Sequence, residues 1–253
     1  LKTDVYNQHF YRGMVDASGH IYQEGNFAYY FLTGDRDLLE RAEMVCSAQA
    51  AYLTPTFDFR IERGAGWPLS NAVAAYEATG NPYYLNAARI YVERILEKQD
   101  PVGGGWLLPQ PPSECDGQTG IGGKAFATGI LLYGLMRYDL VEPRPDVKDC
   151  IVNACRWLVE QTWNDEKAGF RYKTGCDLYR DDAGNGAVNA LCLPGLAYGY
   201  ELSGDERFLH VLHKGYAMMC AYTGTDGKRT GMVCRQSAFA LPTLSATTRP
   251  HAE

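Results

Sequence analysis

One phrase recurs along the chain and constrains its fold more than any other feature. It runs Phe27-Ala-Tyr-Tyr-Phe-Leu-Thr-Gly-Asp35, followed by Leu38-Leu-Glu-Arg-Ala42. It returns as Ala72-Val-Ala-Ala-Tyr-Glu-Ala-Thr-Gly-Asn81 with Tyr84-Leu-Asn-Ala-Ala88, and as Leu196-Ala-Tyr-Gly-Tyr-Glu-Leu-Ser-Gly-Asp205 with Phe208-Leu209. A degenerate copy lies between them, at Ile130-Leu-Leu-Tyr-Gly-Leu-Met136 and the stretch after Pro145. Each copy reads as a helix, a Gly stop, an Asp or Asn cap and a second helix. Repeats of this length stack as supersecondary units.

The two helices of a unit differ in kind. The second is amphipathic: Leu38, Leu39, Ala42, Val45, Cys46 and Ala50 keep helical spacing, as do Leu85, Ala88, Val92, Ile95 and Leu96. The first carries no charge from Ala125 to Met136 or from Ala183 to Tyr200. A helix apolar all round is enclosed and an amphipathic one faces water once, which predicts an inner and an outer layer. Connections within a unit are about three residues, whereas those between units are on the order of 14 to 24. The long ones, Leu53 to Gly66, Gln99 to Gly120 and Trp163 to Gly186, all join an outer helix to the next inner one. They emerge at one end, where function is expected.

These readings predict an all-α fold, an (α/α) toroid of helical hairpins occupying 1–253 as a single domain or a fragment of one. About four hairpins can be read, with 223–253 as a further long loop and the start of a fifth inner helix. The ring is expected to be incomplete. Its open edge would expose an apolar face, so a second copy or further chain completing the ring is the expected partner.

Composition narrows the classes. The chain has 253 residues, 46% hydrophobic, and a formal charge of -6. That apolar content excludes disorder, and the acidic balance argues against nucleic-acid binding. No apolar run reaches the ~18 residues of a membrane helix. The first residue is Leu and no signal-peptide pattern follows it. The sequence therefore reads as a processed or excised piece whose compartment is not written in it. The eight cysteines form no C-x-x-C pair, so no structural zinc site is expected. Cys115, Cys176 and Cys234 fall in loops, but the spacing shows no disulfide framework, and a reduced chain is expected.

Gly19-His-Ile-Tyr-Gln-Glu-Gly25 running into Tyr29-Tyr-Phe-Leu-Thr-Gly-Asp35, the second copy ending Tyr76-Glu-Ala-Thr-Gly-Asn81, and Gly103-Gly-Gly-Trp106 resemble the six-hairpin glycosidase superfamily. That superfamily also houses polysaccharide lyases. The resemblance implies the toroid and a saccharide ligand; it does not extend to the cysteine and zinc motif of arabinofuranosidases of this kind.

Sugar clefts combine aromatic platforms with paired carboxylates. His20-Ile-Tyr-Gln-Glu24 is the densest polar cluster at an inner-helix start, with His20 and Glu24 on one face. In a hydrolase Glu24 would be the general acid or base, partnered by Glu62 or Asp116. In a lyase Tyr22 or His20 would take the proton alpha to a uronate carboxylate. Trp67 and Trp106 are candidate sugar platforms, with Tyr172 among further loop aromatics. Arg60, Arg63, Lys124 and Arg171 are candidate grips on an anionic sugar. His20, Tyr22 and Glu24 are expected to face Arg63, Trp67, Trp106 and Asp116 at the end where the inner helices start. No metal and no cofactor is expected: His210 and His213 lie on an outer helix, and Asp181-Asp182 has no second acidic motif beside it. Hydrolysis of an acidic oligo- or polysaccharide by paired carboxylates is the leading function. A polysaccharide lyase and a non-catalytic glycan- or protein-binding repeat module are the alternatives.

Overall fold

The repeated phrase builds the same turn three times in the computed structural model, which describes residues 21–51, 62–110, 112, 115, 117, 119–176, 183–221 and 227–248. Thr33 Oγ1 donates to the Tyr29 carbonyl at 2.8 Å and accepts from the Asp35 N–H at 3.2 Å. Thr79 repeats this with Ala75 and Asn81, and Ser203 with Gly199 and Asp205. The glycine between has φ 74° at Gly34, 68° at Gly80 and 67° at Gly204, a left-handed conformation that strains any side chain. Asp35, Asn81 and Asp205 then accept the N–H of Leu38, Tyr83 and Arg207, capping the helix that follows.

The helices in chain order are α1 (Glu24–Thr33), α2 (Arg36–Ala51), α3 (Glu62–Thr79), α4 (Pro82–Lys98), α5 (Ala125–Val141), α6 (Pro145–Trp157), α7 (Gly186–Ser203), α8 (Glu206–Ala221) and α9 (Gly227–Thr248). A wide π turn over Leu158–Thr162 continues α6. The odd-numbered helices form an inner layer in which α3 packs on α5, α5 on α7 and α7 on α9; the even-numbered ones back it. Every residue from Ala125 to Met136 and from Gly186 to Ala197 is buried, as the absence of charge requires. Glycines set the close approach of the inner helices. A Cβ on Gly129 would lie 2.5 Å from the Leu191 carbonyl oxygen, and one on Gly66 2.8 Å from that of Ile130. The architecture is the all-α toroid that the repeats predict.

Two helix boundaries differ from the sequence reading. Helix α3 begins at Glu62, inside the stretch read as loop, because Gly64, Gly66 and Pro68 serve a buried seam rather than a turn. Within the stretch read mostly as loop after 223, Gly227–Thr248 form a helix of 22 residues, α9, with Pro242 inside it.

The long connections are partly ordered by short strands. β1 (Leu108–Gln110) pairs antiparallel with β2 (Gly120–Gly122), and β3 (Trp163–Asn164) with β4 (Gly169–Phe170). A bridge between Lys124 and Lys173 joins the two connections, and so does a disulfide between Cys115 and Cys176, with Cα atoms 5.3 Å apart. The disulfide corrects the expectation of a reduced chain. Its partners are 61 residues apart in sequence and meet only because the ring brings successive connections side by side. Cys46, Cys150, Cys155 and Cys192 are buried thiols, pushed up in pKa by burial, and act as small core residues.

Among the described residues the arc runs from α1 to α9, which do not pack on each other as the other inner neighbours do. Tyr29, Phe31 and Leu32 on α1 are consequently exposed, Leu32 at 85%. Among the described residues no helix is long and apolar enough to cross a membrane.

Candidate active site

Helix α1 is short, and its first residue, Glu24, enters the ring interior instead of standing at the mouth. Ser70, Tyr133 and Arg235 each sit about two turns inside α3, α5 and α9, and all three donate to the Glu24 carboxylate. Tyr133 Oη lies 3.2 Å from Oε2, and Arg137 Nη1 lies 3.3 Å from Oε1. The other arm of Arg137 donates to Glu77 near the end of α3. Charges therefore alternate as Glu77, Arg137, Glu24, Arg235 across α3, α5, α1 and α9. Burial works against the Arg137 charge, but Glu24, Tyr133 and Glu77 outweigh it and hold its pKa above the usual guanidinium range. Burial, then the Glu24 charge, pushes the Tyr133 phenol up to about 12, leaving it a neutral donor.

This chain of charges lines a cavity of about 830 Å³ between the two ends of the arc. Its aromatic walls are Tyr22, Phe27, Phe31, Trp67, Tyr133 and Phe239. Trp67 is only 3% exposed. The Tyr22 ring meets it at 4.8 Å, edge to face, and the Arg235 guanidinium lies 4.6 Å above it. The ring is thus a wall and not the open platform expected. Phe31 at 61%, Tyr22 at 47% and Phe239 at 38% are the aromatics of this cavity open to solvent.

A second cluster occupies the starts of α3 and α5. Glu62 is buried there, with Oε1 accepting the Lys124 N–H at 3.2 Å. The Arg63 guanidinium lies 5.9 Å over the Phe126 ring, which stacks on Tyr172 at 4.7 Å. The Ala125 N–H donates to the Tyr172 carbonyl, and Arg171 follows β4 with its Nε buried and unpartnered among the described residues. Lys124 is itself buried. None of Glu62, Arg63, Lys124, Arg171 and Tyr172 lines the cavity that holds Glu24.

Convergence at the mouth is therefore corrected. The structure brings Tyr22, Glu24 and Trp67 together and sets Glu62 and the basic residues apart, because α1 presents its N-terminus at mid-height of its neighbours. Trp106 is fully buried, with Nε1 donating to the Ile95 carbonyl at 3.0 Å, so no ring face is open to a sugar. His20, Arg60, Asp116 and the Asp181-Asp182 pair lie outside the described residues. Sequence reasoning missed Glu77, Tyr133 and Arg137. All three lie inside helices, away from the loops and helix starts, and Arg137 follows the charge-free run directly. Among the described residues no group of three or more His, Cys, Asp or Glu is placed to hold a metal ion; His210 pairs with Asp165 at 2.7 Å on the outer layer.

Burial raises the Glu62 carboxyl to about 7, against the lowering effect of the Glu62 and Lys124 N–H groups and the Lys124 and Arg63 charges. The native state thus binds this proton more tightly than the unfolded chain does. Its stabilisation is full below the ordinary carboxyl value of about 4.3 and is lost as pH rises through about 7. The thermal midpoint is expected to fall between about pH 5 and 8. In E62Q, which keeps the acceptor for Lys124 but carries no proton to lose, that fall should flatten. Equal falls in the two proteins would refute the assignment.

No family model and no curated protein sequence matches the chain. Among solved structures, an α-1,6-mannanase of glycoside hydrolase family 76 from a Salegentibacter species, bound to α-1,6-mannotriose, is similar at TM-score 0.68 and 12% identity over 92% of this chain and 71% of that one. That mannanase was crystallised as an inactive variant with two adjacent aspartates replaced. The cellobiose 2-epimerase of Bacillus thermoamylovorans is similar at TM-score 0.60 and 10% identity, over 84% of this chain and 61% of that one. An unsaturated glucuronyl hydrolase variant bound to dGlcA-Glc-Rha-Glc is similar at TM-score 0.59 and 11% identity, over 88% of this chain and 72% of that one. All three are members of the six-hairpin glycosidase superfamily, whose fold this chain shares.

Proposed function

We propose that this chain, built on the toroid fold of the six-hairpin glycosidases, is a carbohydrate-active enzyme that hydrolyses a glycosidic bond of an acidic oligo- or polysaccharide in the cavity between α1 and α9. The observation that carries the reading is a pair of carboxylates, Glu24 and Glu77, on one cavity and joined by the single guanidinium of Arg137. Glycoside hydrolysis needs one carboxyl to protonate the leaving oxygen and a second to activate water or attack the anomeric carbon. Glu24, held by two hydroxyls and two guanidinium groups, is fixed in place for the second role. Glu77, with 38% of its side chain exposed, has the freedom to approach a leaving group. Tyr22 and Phe239 offer faces to the sugar ring.

The grouping of Tyr133 with Arg137 and Arg235 favours a second reading, β-elimination on a uronate. There the guanidinium groups would neutralise the uronate carboxylate, Tyr22 would take the alpha proton, and the neutral Tyr133 phenol would protonate the leaving oxygen.

Incubation with acidic and neutral polysaccharides decides between these. New reducing ends without ultraviolet absorbance support hydrolysis, and absorbance from a new double bond supports elimination. Binding without either leaves a glycan-binding module. The same assay should include a double Asn variant of Asp181-Asp182, the one Asp-Asp pair of the sequence, since the mannanase neighbour is inactive without its own adjacent aspartates. Loss of turnover there, with turnover retained in E24Q, would take the reacting role away from Glu24.

A further inference from the structure

We infer that Arg235 is the specificity-determining residue of the cavity, that it selects a sugar bearing a carboxylate, and that the ligand carboxylate takes the place on Arg235 now held by Glu24. The inference rests on the saccharide reading of the cavity but not on which reaction follows. Arg235 projects from α9 across the open side of the arc. Its guanidinium lies 4.6 Å above the Trp67 ring and 5.2 Å from the Tyr133 ring centre. Two aromatic faces thus hold the plane of the guanidinium, and a held plane is what a bidentate grip on a carboxylate requires. Its side chain is 32% exposed and lines the cavity.

The group already bound there shows what the site accepts. Glu24 presents Oε2 to Arg235 while Oε1 faces Arg137 and Ser70. Glu24 therefore acts on Arg235 as an internal stand-in for a ligand carboxylate. Losing Arg235 leaves Glu24 still held by Ser70, Tyr133 and Arg137. Arg137 is committed on both arms, to Glu24 and to Glu77, and its side chain is 17% exposed. Arg235 is the more accessible of the two and the one able to exchange partners. A neutral sugar leaves the Glu24 contact intact and gains nothing from this residue. A uronate gains a charge-assisted pair against a wall of aromatic rings.

This arrangement makes two substitutions act in opposite directions. Removing the guanidinium in R235M should weaken binding of uronate ligands at least tenfold and leave neutral ones within about twofold. Removing the competing charge in E24Q should tighten uronate binding severalfold, because Arg235 then faces the cavity without an anion of its own. A residue that merely holds α9 in place would weaken both ligands alike in both variants. R235K keeps the charge but not the fork, and should recover part of the preference.

The test is calorimetric binding of uronan trisaccharides, each paired with the same trisaccharide after its carboxyls are reduced to alcohols. Wild type, R235M, R235K and E24Q are compared, with R63A from the second cluster as a control and circular dichroism on each. A wild-type preference for the acidic member of a pair, abolished in R235M and enlarged in E24Q, supports the inference. Equal affinity of wild type for every pair overturns it, as does a preference unchanged in folded R235M or lost instead in R63A. Turnover is read separately, so a failed hydrolase reading with the binding pattern intact remains distinguishable from failure of this inference.

Discussion

Replacing Glu24 by Gln is expected to lower turnover by ~100-fold or more, the range seen when a positioned acid or base is removed. Four donors converge on this carboxylate, from α3, α5 and α9, and its side chain is only 12% exposed. The substitution therefore also breaks a partly buried charge network. Stability should fall by roughly 1–3 kcal/mol, since an uncharged amide leaves two guanidinium groups without their shared anion. These two effects separate experimentally. Turnover measured well below the thermal midpoint reports chemistry, and the midpoint itself reports the network. E24D supplies the control: it keeps the charge that the arginines need but withdraws it by one methylene, so stability should largely recover while turnover does not. A variant that is destabilised yet turns over normally at low temperature would reduce Glu24 to a tie between α1 and its neighbours.

What the sequence made legible follows the range of the physics behind each feature. The Thr33-Gly34-Asp35 turn and its two repeats are local: hydroxyl, left-handed glycine and cap lie within three residues, so a reader sees them without a fold. The inner layer is legible for a similar reason, since no partner exists for a charge between Ala125 and Met136. The start of α3 was hidden because Gly64, Gly66 and Pro68 are turn residues by habit. All three are buried within the helix here, and at Gly66 a Cβ would lie 2.8 Å from the Ile130 carbonyl oxygen of α5. Helix α9 was hidden by Lys228, Arg229, Arg235 and Pro242, which break the apolar pattern that marks other inner helices.

The site was legible only at one pole. Tyr22 and Glu24 stand out as polar residues before a helix, and Trp67 as an aromatic beside a loop. Their partners Ser70, Glu77, Tyr133 and Arg137 lie within helices, and only the vertical offset of α1 brings them level with Glu24. Glu77 was even part of the repeated phrase, read there as spacing and not as chemistry. Offsets between stacked units arise from three-dimensional packing and leave no mark in any one segment.

The disulfide is a long-range feature of the same kind, and it carries the second large expected effect. Closing a loop of 61 residues removes chain entropy from the unfolded state worth about 4 kcal/mol in the loop-closure model. Other contacts already hold the same two connections together. A Cβ on Gly122 would lie 2.1 Å from the Thr174 carbonyl oxygen, the Gly123 carbonyl accepts the Thr174 N–H, and Lys124 bridges to Lys173. The native state therefore has little to gain locally from the bond, and the stabilisation falls on the unfolded chain. Reduction, or the double Ser variant of Cys115 and Cys176, is expected to lower unfolding stability by about 3–5 kcal/mol. The Glu24 cavity, which neither cysteine lines, should keep its ligand affinity wherever the protein remains folded. Denaturant unfolding with and without a reductant measures the first effect, and the calorimetric titration of the reduced protein measures the second. An unchanged midpoint would mean that the two connections are held by their backbone contacts alone. A lost affinity in still-folded protein would mean that the mouth of the ring and the cavity between α1 and α9 are coupled, which the separation of the two clusters in the structure argues against.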